Sequence, residues 1–185
     1  MNLLHSRICS SAKWAEYVRT GLFPVVLDGV DLGPEVLELG PGLGVTTRQL
    51  ASRVPRLTAL EIDSRYVERL RAELDVEIVH GDAAKMPFAD ESFTGVACFT
   101  MLHHVPSPEL QDRLFAETCR VLRPGGVFAG SDGQPSLRFR LIHLGDVLVP
   151  VSPETLPARL TAAGFTDVRI ERAPGRVHFT ARKPS

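Results

Sequence analysis

The stretch EVLELGPGLGVTTRQL, residues 35–50, places three glycines within five positions, after a short apolar run and before a helix-like pattern. Gly40, Gly42 and Gly44 would let the backbone approach a ligand closely, and the start of the helix would offer it unpaired N–H groups. A tight turn that only needs flexible residues is the alternative interpretation. The spacing G-x-G-x-G differs from the G-x-G-x-x-G of nicotinamide- and flavin-binding proteins, which weakens a dinucleotide interpretation.

The rest of the chain alternates short apolar runs with helical patterns. Continuous apolar runs are typical of strands in a parallel sheet that is covered on both faces. The predicted strands are residues 36–39, 57–62, 76–79, 95–99, 127–130, 167–173 and 176–183, and the predicted helices are residues 11–27, 46–53, 65–73, 109–122 and 153–163. This order predicts an α/β fold with a doubly wound, seven-stranded, mostly parallel sheet. The short turn between the last two strands predicts a hairpin, so that the last strand is antiparallel.

Composition narrows the class of protein. A chain of 185 residues, 44% of them hydrophobic, is expected to form a single domain with a sizeable core. The formal net charge is -1 and the basic residues are scattered, which disfavours a nucleic-acid partner. Three cysteines at irregular spacing indicate neither disulfides nor metal ligands, so we expect no metal and a reduced, cytoplasmic protein. Since we find no secretion signal and no long apolar run, we expect no membrane partner.

Acidic residues follow the predicted strands at positions suited to a nucleoside. Glu61 ends the second strand, where a carboxylate can bind both hydroxyls of a ribose. Asp82 comes just after the third strand and could accept a hydrogen bond from an exocyclic amine. Asp63 stands at the start of a helix, where a capping role is favoured. Acids at successive strand ends favour a nucleoside site over isolated turn residues.

With these motifs in this order, residues 36–126 resemble the class I S-adenosylmethionine-dependent methyltransferases, which have a Rossmann-like fold with an antiparallel last strand. The phrases MPFADESF and VLRPGG resemble the small-molecule branch, which includes ubiquinone and menaquinone biosynthesis enzymes. One departure is Thr94, where that branch commonly has Asp. The resemblance implies S-adenosylmethionine as cofactor, held by Glu38, Leu39, Gly40, Pro41, Gly42, Gly44, Glu61, Ile62, Asp82, Ala83, Phe99 and Thr100.

The resemblance also divides the expected single domain, residues 1–185, into four parts. They are an N-terminal helical cap (1–34), a cofactor-binding core (35–131), a lid or substrate segment (132–152), and the last helix with the C-terminal hairpin (153–185). The cap is expected to close over the cofactor near Trp14 and Tyr17, although simple helix packing would explain Trp14 as well. Apolar residues of the lid segment are expected to line the acceptor pocket: Leu137, Phe139, Leu141, Ile142, Leu144 and Val147.

Few groups are needed for catalysis, because the sulfonium already activates the methyl group and the protein must chiefly position the acceptor. A base would assist transfer to a hydroxyl. The candidates are His103, His104, His143 and Asp132, the last expected in a loop after the fifth strand. Neighbouring side chains at a strand–helix junction point apart, so at most one of His103 and His104 should face the substrate.

The expected function is methyl transfer to a small, partly apolar metabolite. One alternative is a non-catalytic module of the same fold that binds S-adenosylmethionine or a partner. Another is an RNA adenine methyltransferase, because ELGPGLG and LEID also resemble the ribosomal-RNA adenine dimethyltransferases. Those enzymes have an Asn-Leu-Pro-Tyr type motif where this chain has residues 99–102, and the basic tail is absent. The methylated atom, the identity of the acceptor and the choice between monomer and homodimer stay open.

Overall fold

A computed structural model describes residues 3–185, with side chains described from Ser6 onward except at residue 138. Within these residues seven strands form one sheet in the order β3-β2-β1-β4-β5-β7-β6. The strands are β1 (Glu35–Leu39), β2 (Arg56–Glu61), β3 (Glu77–His80), β4 (Phe93–Phe99), β5 (Leu122–Gly133), β6 (Thr166–Ala173) and β7 (Arg176–Arg182). Strand β7 is antiparallel to both β5 and β6, while β1 to β5 pair in parallel. The predicted fold class and the antiparallel last strand are confirmed.

The helices flank this sheet. They are α1 (Leu3–Cys9), α2 (Ala12–Tyr17), α3 (Phe23–Leu27), α4 (Val45–Ala51), α5 (Ser64–Glu73), α6 (Pro108–Val121), α7 (Leu137–Ile142) and α8 (Leu156–Ala162). The predicted helix 11–27 is instead α2, a π-helical turn at Val18–Leu22 and α3. Pro24 is tolerated because it occupies the first turn of α3, where its missing N–H has no helical partner. Across residues 3–185, no helix is both long and apolar enough to cross a bilayer.

Strand β5 is longer than the sequence predicted. The predicted fifth strand was residues 127–130, but the strand already begins at Leu122, and an irregularity in the pairing of β4 with β5 accommodates the Pro-Gly-Gly at residues 124–126. At its other end β5 continues to Gly133, with Asp132 opposite Val177 of β7. The expectation that Asp132 lies in a loop is therefore wrong: it is a fully buried strand residue.

The parallel strands bring the predicted ligand residues to one edge. Because β1 lies between β2 and β4, the carboxyl ends of all three strands meet there, as in other open α/β sheets. Thr94, the departure from the family pattern, fastens the opposite end of β4. Its hydroxyl accepts from the Glu35 N–H and donates to the Leu32 carbonyl, at 3.0 and 2.9 Å. This position therefore supports the chain leading into β1.

The core lies on both faces of the sheet. On one face the fully buried Phe128 packs among Phe115, Phe165 and Phe179, with ring centroids 5.0 to 6.3 Å away. On the other, Phe23 of α3 packs on Phe99 of β4 at 4.9 Å between ring centroids. The N-terminal helices are thus anchored beside the ligand-binding edge.

We expect Phe128→Ala to lower the free energy of unfolding by about 3–5 kcal/mol, because it leaves a cavity among three rings. Urea denaturation followed by circular dichroism measures the change. Val25→Ala, on the exposed side of α3, is the control and should change stability by less than about 0.5 kcal/mol. Equal effects of the two substitutions would contradict this account of the core.

Candidate functional site

A cleft of about 450 Å³ opens at the edge where β1, β2 and β4 end. Its walls come from the loops after β1, β2, β3 and β4, from the N-terminal helices and from the segment after β5. Most of the predicted cofactor residues line it: Gly40, Pro41, Gly42, Glu61, Ile62, Asp82, Ala83, Phe99 and Thr100. The sequence motifs thus come together around one cavity.

The glycine-rich loop is compact because its backbone takes conformations that side chains disfavour. Gly40 has φ +63°, and a Cβ there would lie 2.3 Å from Cγ of Met101. Gly44, which precedes α4, has φ +75°, and a Cβ would lie 2.5 Å from Cδ2 of Leu70. Gly40 lines the cleft whereas Gly44 does not. Gly44 therefore shapes the turn, and direct contact with a ligand falls to Gly40 and its neighbours.

Glu61 joins the loops around the cleft. Its Oε2 accepts from the Gly42 N–H, and its Oε1 accepts from the N–H groups of Ile62 and Asp63, each at 2.9 Å. Its backbone carbonyl accepts from the Gly81 N–H at 3.0 Å. The carboxylate is buried yet reaches the cleft wall. It is therefore held in a fixed orientation by the backbone of two loops.

Glu38 and Leu39 lie beneath the loop and do not line the cleft. The Thr46 hydroxyl, which belongs to the cleft wall, donates to Glu38 Oε1 at 2.5 Å. Among the described residues, the buried Oε2 of Glu38 has no hydrogen-bond partner. Burial raises the pKa of Glu38 to about 7, against the lowering effect of the hydrogen bond from Thr46. The Leu39 side chain is part of the core, so it supports the loop instead of contacting a ligand.

Two further cleft residues occupy unusual local geometry. Asp82 is exposed, and its Oδ1 accepts from the Ala84 N–H at 2.8 Å, which closes the turn after β3. Thr100 has φ +53°, a conformation that residues other than glycine rarely adopt and that often marks functional sites. Its N–H donates to the Ser131 carbonyl at 2.7 Å. The chain leaves β4 in a sharp turn that directs residues 101–104 along the cleft.

The four candidate acid–base residues gather beside the cleft, but only His104 lines it. His103 bonds to Asp132 twice, through its Nδ1 to Oδ1 and through its backbone N–H to Oδ2 at 2.8 Å. His103 Nε2 lies 3.1 Å from His143 Nε2, and His143 Nδ1 lies 2.7 Å from the Phe139 carbonyl. The other three candidates lie behind the cleft wall: His103, His143 and Asp132. Their contacts there are with one another and with the backbone. We call His103, His104 and His143 the histidine cluster.

The segment after β5 contributes less apolar surface to the cleft than the sequence predicted. Leu137, Leu141 and Leu144 are 78%, 59% and 75% exposed, so the expectation that they line the pocket is wrong. Helix α7 turns Phe139 and His143, four residues apart, towards the sheet, and its leucines consequently face solvent. Within this segment Val147 does line the cleft. Other apolar lining comes from Met101, Val105, Leu110 and Leu114.

Sequence reasoning missed Gln111, a buried amide on α6. Its Nε2 donates to the carbonyls of Leu102 and Val149, at 3.0 and 2.7 Å, and its Oε1 accepts from Arg159. These bonds fasten the segment after β5 to the turn that carries His103 and His104. The available signal was a polar residue three and four positions before Leu114 and Phe115, on the same buried face of α6.

The N-terminal helices close another side of the cleft. Cys9 and Trp14 line it, and the Arg176 guanidinium lies over the rings of Trp14 and Tyr17, at 5.5 and 5.7 Å from their centroids. Such cation–π contacts fasten the helix to the first residue of β7. Trp14 thus has both of the roles considered from the sequence, packing and cleft lining.

A family model described as a methyltransferase domain matches residues 37–130, about half of the chain and most of the cleft. The chain belongs to the class I S-adenosylmethionine-dependent methyltransferases. The fold and the family predicted from the sequence are confirmed, and S-adenosylmethionine is the cofactor of this methyltransferase domain.

Individual relatives resemble parts of this methyltransferase. A sterol 24-C-methyltransferase of Gibberella zeae is 34% identical over 64% of the chain and 35% of its own length. A ribosomal RNA small subunit methyltransferase A of Deinococcus radiodurans is 48% identical over 33% of the chain and 22% of its own length. The matched part of the chain thus spans about a third or less of the length of these curated relatives. The crystal structure of the PH0226 protein from Pyrococcus horikoshii shares the fold, with TM-score 0.74, 21% identity, and coverage of 95% and 93% of the two chains.

The residues of this methyltransferase fit its cofactor. Gly40 and Gly42 leave bare backbone at the cleft, Glu61 presents a fixed carboxylate, and the buried Glu38 Oε2 has acceptor capacity that no described residue uses. An amino acid joined to a nucleoside carries an ammonium, ribose hydroxyls and an exocyclic amine. A carboxylate oxygen is available for each of these donors: Glu38 lies beneath the cleft, and Glu61 and Asp82 line it.

The raised pKa of Glu38 predicts a pH-dependent stability. In the folded chain the Glu38 carboxyl has a pKa of about 7. In the unfolded chain a glutamate has a pKa of about 4.3, which is about two to three units lower. Stability contributed by this group is therefore present below about pH 4 and is lost as the pH rises from about 4 to 7. We expect the wild type to lose on the order of 3 kcal/mol over that range relative to Glu38→Gln, which does not titrate.

Urea denaturation at a series of pH values measures this difference. Glu68→Gln, which removes an exposed carboxylate on α5, is the control and should keep the pH dependence of the wild type. Parallel stability curves for the wild type and Glu38→Gln would show that Glu38 titrates normally in the folded chain.

Proposed function

We propose that this chain transfers the methyl group of S-adenosylmethionine to a small, partly apolar metabolite. The observation that carries the proposal is a single cleft that combines two kinds of wall. One wall consists of bare backbone and a carboxylate, at Gly40, Gly42 and Glu61. The other wall is apolar and includes Val105 and Leu114. His104, which directly precedes Val105 in the sequence, also lines the cleft. A nucleoside cofactor and an apolar acceptor can share such a cavity.

Bound S-adenosylmethionine would supply a methyl group on a sulfonium, which needs in-line placement about 3 Å from the acceptor and little further activation. Glu61 would accept from one ribose hydroxyl through Oε2, since its two oxygens have about four lone-pair sites and backbone N–H groups occupy three of them. Gly40 and Gly42 would receive the amino-acid part, and Asp82 the exocyclic amine. The Glu38 Oε2 would accept from the ammonium, directly or through water.

The segments around the core would select the acceptor. We propose residues 1–34 as a cap, through Cys9 and Trp14, and residues 132–152 as a lid, through Asp146 and Val147. If the acceptor is a hydroxyl, His104 is the candidate base placed at the cleft. The phrases MPFADESF and VLRPGG support an acceptor like those of the quinone-biosynthesis branch.

An RNA substrate is the weaker alternative. The similarity to the ribosomal RNA enzyme covers a third of this chain, and the net charge of -1 gives no electrostatic attraction to phosphates. We propose no nucleic-acid or membrane partner, a monomer or homodimer, and a cytoplasmic setting, which the free thiols of Cys9, Cys98 and Cys119 support. A non-catalytic binding module would share the cofactor site but form no methylated product.

We expect Glu61→Gln to raise the Kd for S-adenosylmethionine about 10- to 100-fold, because ribose hydroxyls bind a neutral amide less strongly than a carboxylate. Isothermal titration calorimetry measures the affinity. Glu68→Gln, an equal charge change on the exposed face of α5, should bind like the wild type. An unchanged Kd for Glu61→Gln would contradict the ribose assignment.

We expect labelled S-adenosylmethionine and a cell extract to yield a methylated small molecule, identified by mass spectrometry. For an acceptor that must lose a proton, His104→Ala should lower kcat by at least about 100-fold and leave the cofactor Kd unchanged. A wild type that binds the cofactor but labels no small molecule would favour the non-catalytic module.

A further inference from the structure

The histidine cluster has a geometry that the fold and methyl transfer do not require. The Nδ1 atoms of His103 and His143 are both occupied, one by the Asp132 carboxylate and the other by the Phe139 carbonyl. These contacts fix the two rings so that their Nε2 atoms converge to 3.1 Å. Metal-binding histidines are typically oriented in this way, with the second ring nitrogen donating to a carboxylate or a backbone carbonyl.

The third imidazole lies at the same point. One ring nitrogen from each of His103, His104 and His143 lies within 4.8 Å of the others. Nitrogen ligands of a tetrahedral zinc ion lie about 3.3 Å apart, given Zn–N distances of 2.0–2.1 Å. The His103–His143 distance of 3.1 Å is already close to this value, and the His104 ring would have to move closer to complete the site.

The hydrogen bonds of the cluster require one more proton than two neutral imidazoles supply. The Phe139 carbonyl only accepts, so His143 donates from Nδ1; the contact with His103 then needs a proton between the two Nε2 atoms. The contact of His103 Nδ1 with Asp132 needs a third proton. Two neutral imidazoles supply two, so the group of two histidines and one carboxylate carries one additional proton. A divalent cation can replace the proton shared by the Nε2 atoms.

Charge and burial favour that exchange. Asp132 is fully buried. Besides its contact with the His103 ring, its carboxylate accepts hydrogen bonds from the backbone N–H groups of His103 and Gly133. A buried carboxylate beside three converging imidazoles is a suitable environment for a cation.

We propose that His103, His104 and His143 bind one divalent transition-metal ion, with zinc as the best match, and that Asp132 is the positioning residue for His103. Three imidazoles are a ligand set that zinc accepts, and they leave a fourth coordination position. His104 belongs to the cleft wall, so the ion would lie beside the acceptor site. Binding forms three metal–nitrogen bonds and releases the proton shared by the Nε2 atoms to solvent. The sequence prediction of no metal would then be wrong.

The test uses the full chain, treated with a chelator and dialysed, and Zn²⁺ or Co²⁺ alone as the probe. We expect one ion per chain by elemental analysis and calorimetry, with a ligand-field spectrum of low-coordinate Co²⁺. Calorimetry in two buffers of different ionisation enthalpy should show about one proton released per ion. Because no cofactor or acceptor is present, the result is independent of the proposed function.

Matched variants locate the site. His143→Ala and His104→Ala should each weaken Zn²⁺ binding at least 10-fold, and Asp132→Asn about 10- to 100-fold as a positioning residue. His80→Ala, an exposed histidine outside the cluster, should bind like the wild type. Circular dichroism confirms folding, and His143→Ala is the primary variant because this residue follows the surface helix α7.

Two results would overturn the proposal. One is a wild type that binds no Zn²⁺ above the level of His143→Ala, which would leave the cluster as a hydrogen-bonded support for His104. The other is binding that His80→Ala abolishes and the cluster variants preserve.

Discussion

The arrangement of the site depends on the carboxylate of Glu61. It accepts from the backbone of two different loops, while its own carbonyl accepts from a third. Charge-assisted bonds to backbone N–H groups are short and comparatively strong, so this residue holds the loops at the ends of β1, β2 and β3 together. A ribose would therefore meet a carboxylate whose position the backbone has already determined, which reduces the ordering required on binding.

The sequence predicted those parts of the site that follow from local chemistry. Gly40 and Gly42 were recognisable because a tight turn after a buried strand requires them, and Glu61 because parallel strands end at one edge. Asp132 was misplaced because β5 continues to Gly133 only through its pairing with β7, a strand that is distant along the chain. Gln111 was missed because its partners, Leu102 and Val149, are distant along the chain.

The lid segment shows the limit of reading apolar residues as pocket lining. Its leucines are hydrophobic, yet Leu137 and Leu144 face solvent, and the inward positions belong to Phe139 and His143. Periodicity over a helix as short as α7 gives too few turns to identify the buried face. The position of His143 beside His103 consequently could not be predicted, since it depends on where the segment after β5 crosses the sheet edge.

The insertion of β7 between β5 and β6 also affects how the chain is made. Asp132 pairs with a strand that begins at Arg176 and ends at Arg182, so its surroundings are incomplete until the ribosome has added about 50 more residues. At 5–20 residues per second this delay is roughly 3–10 s, during which β5 is an unpaired, apolar sheet edge. The nascent chain thus contains its glycine loop long before the strand that encloses its buried carboxylate has been synthesised.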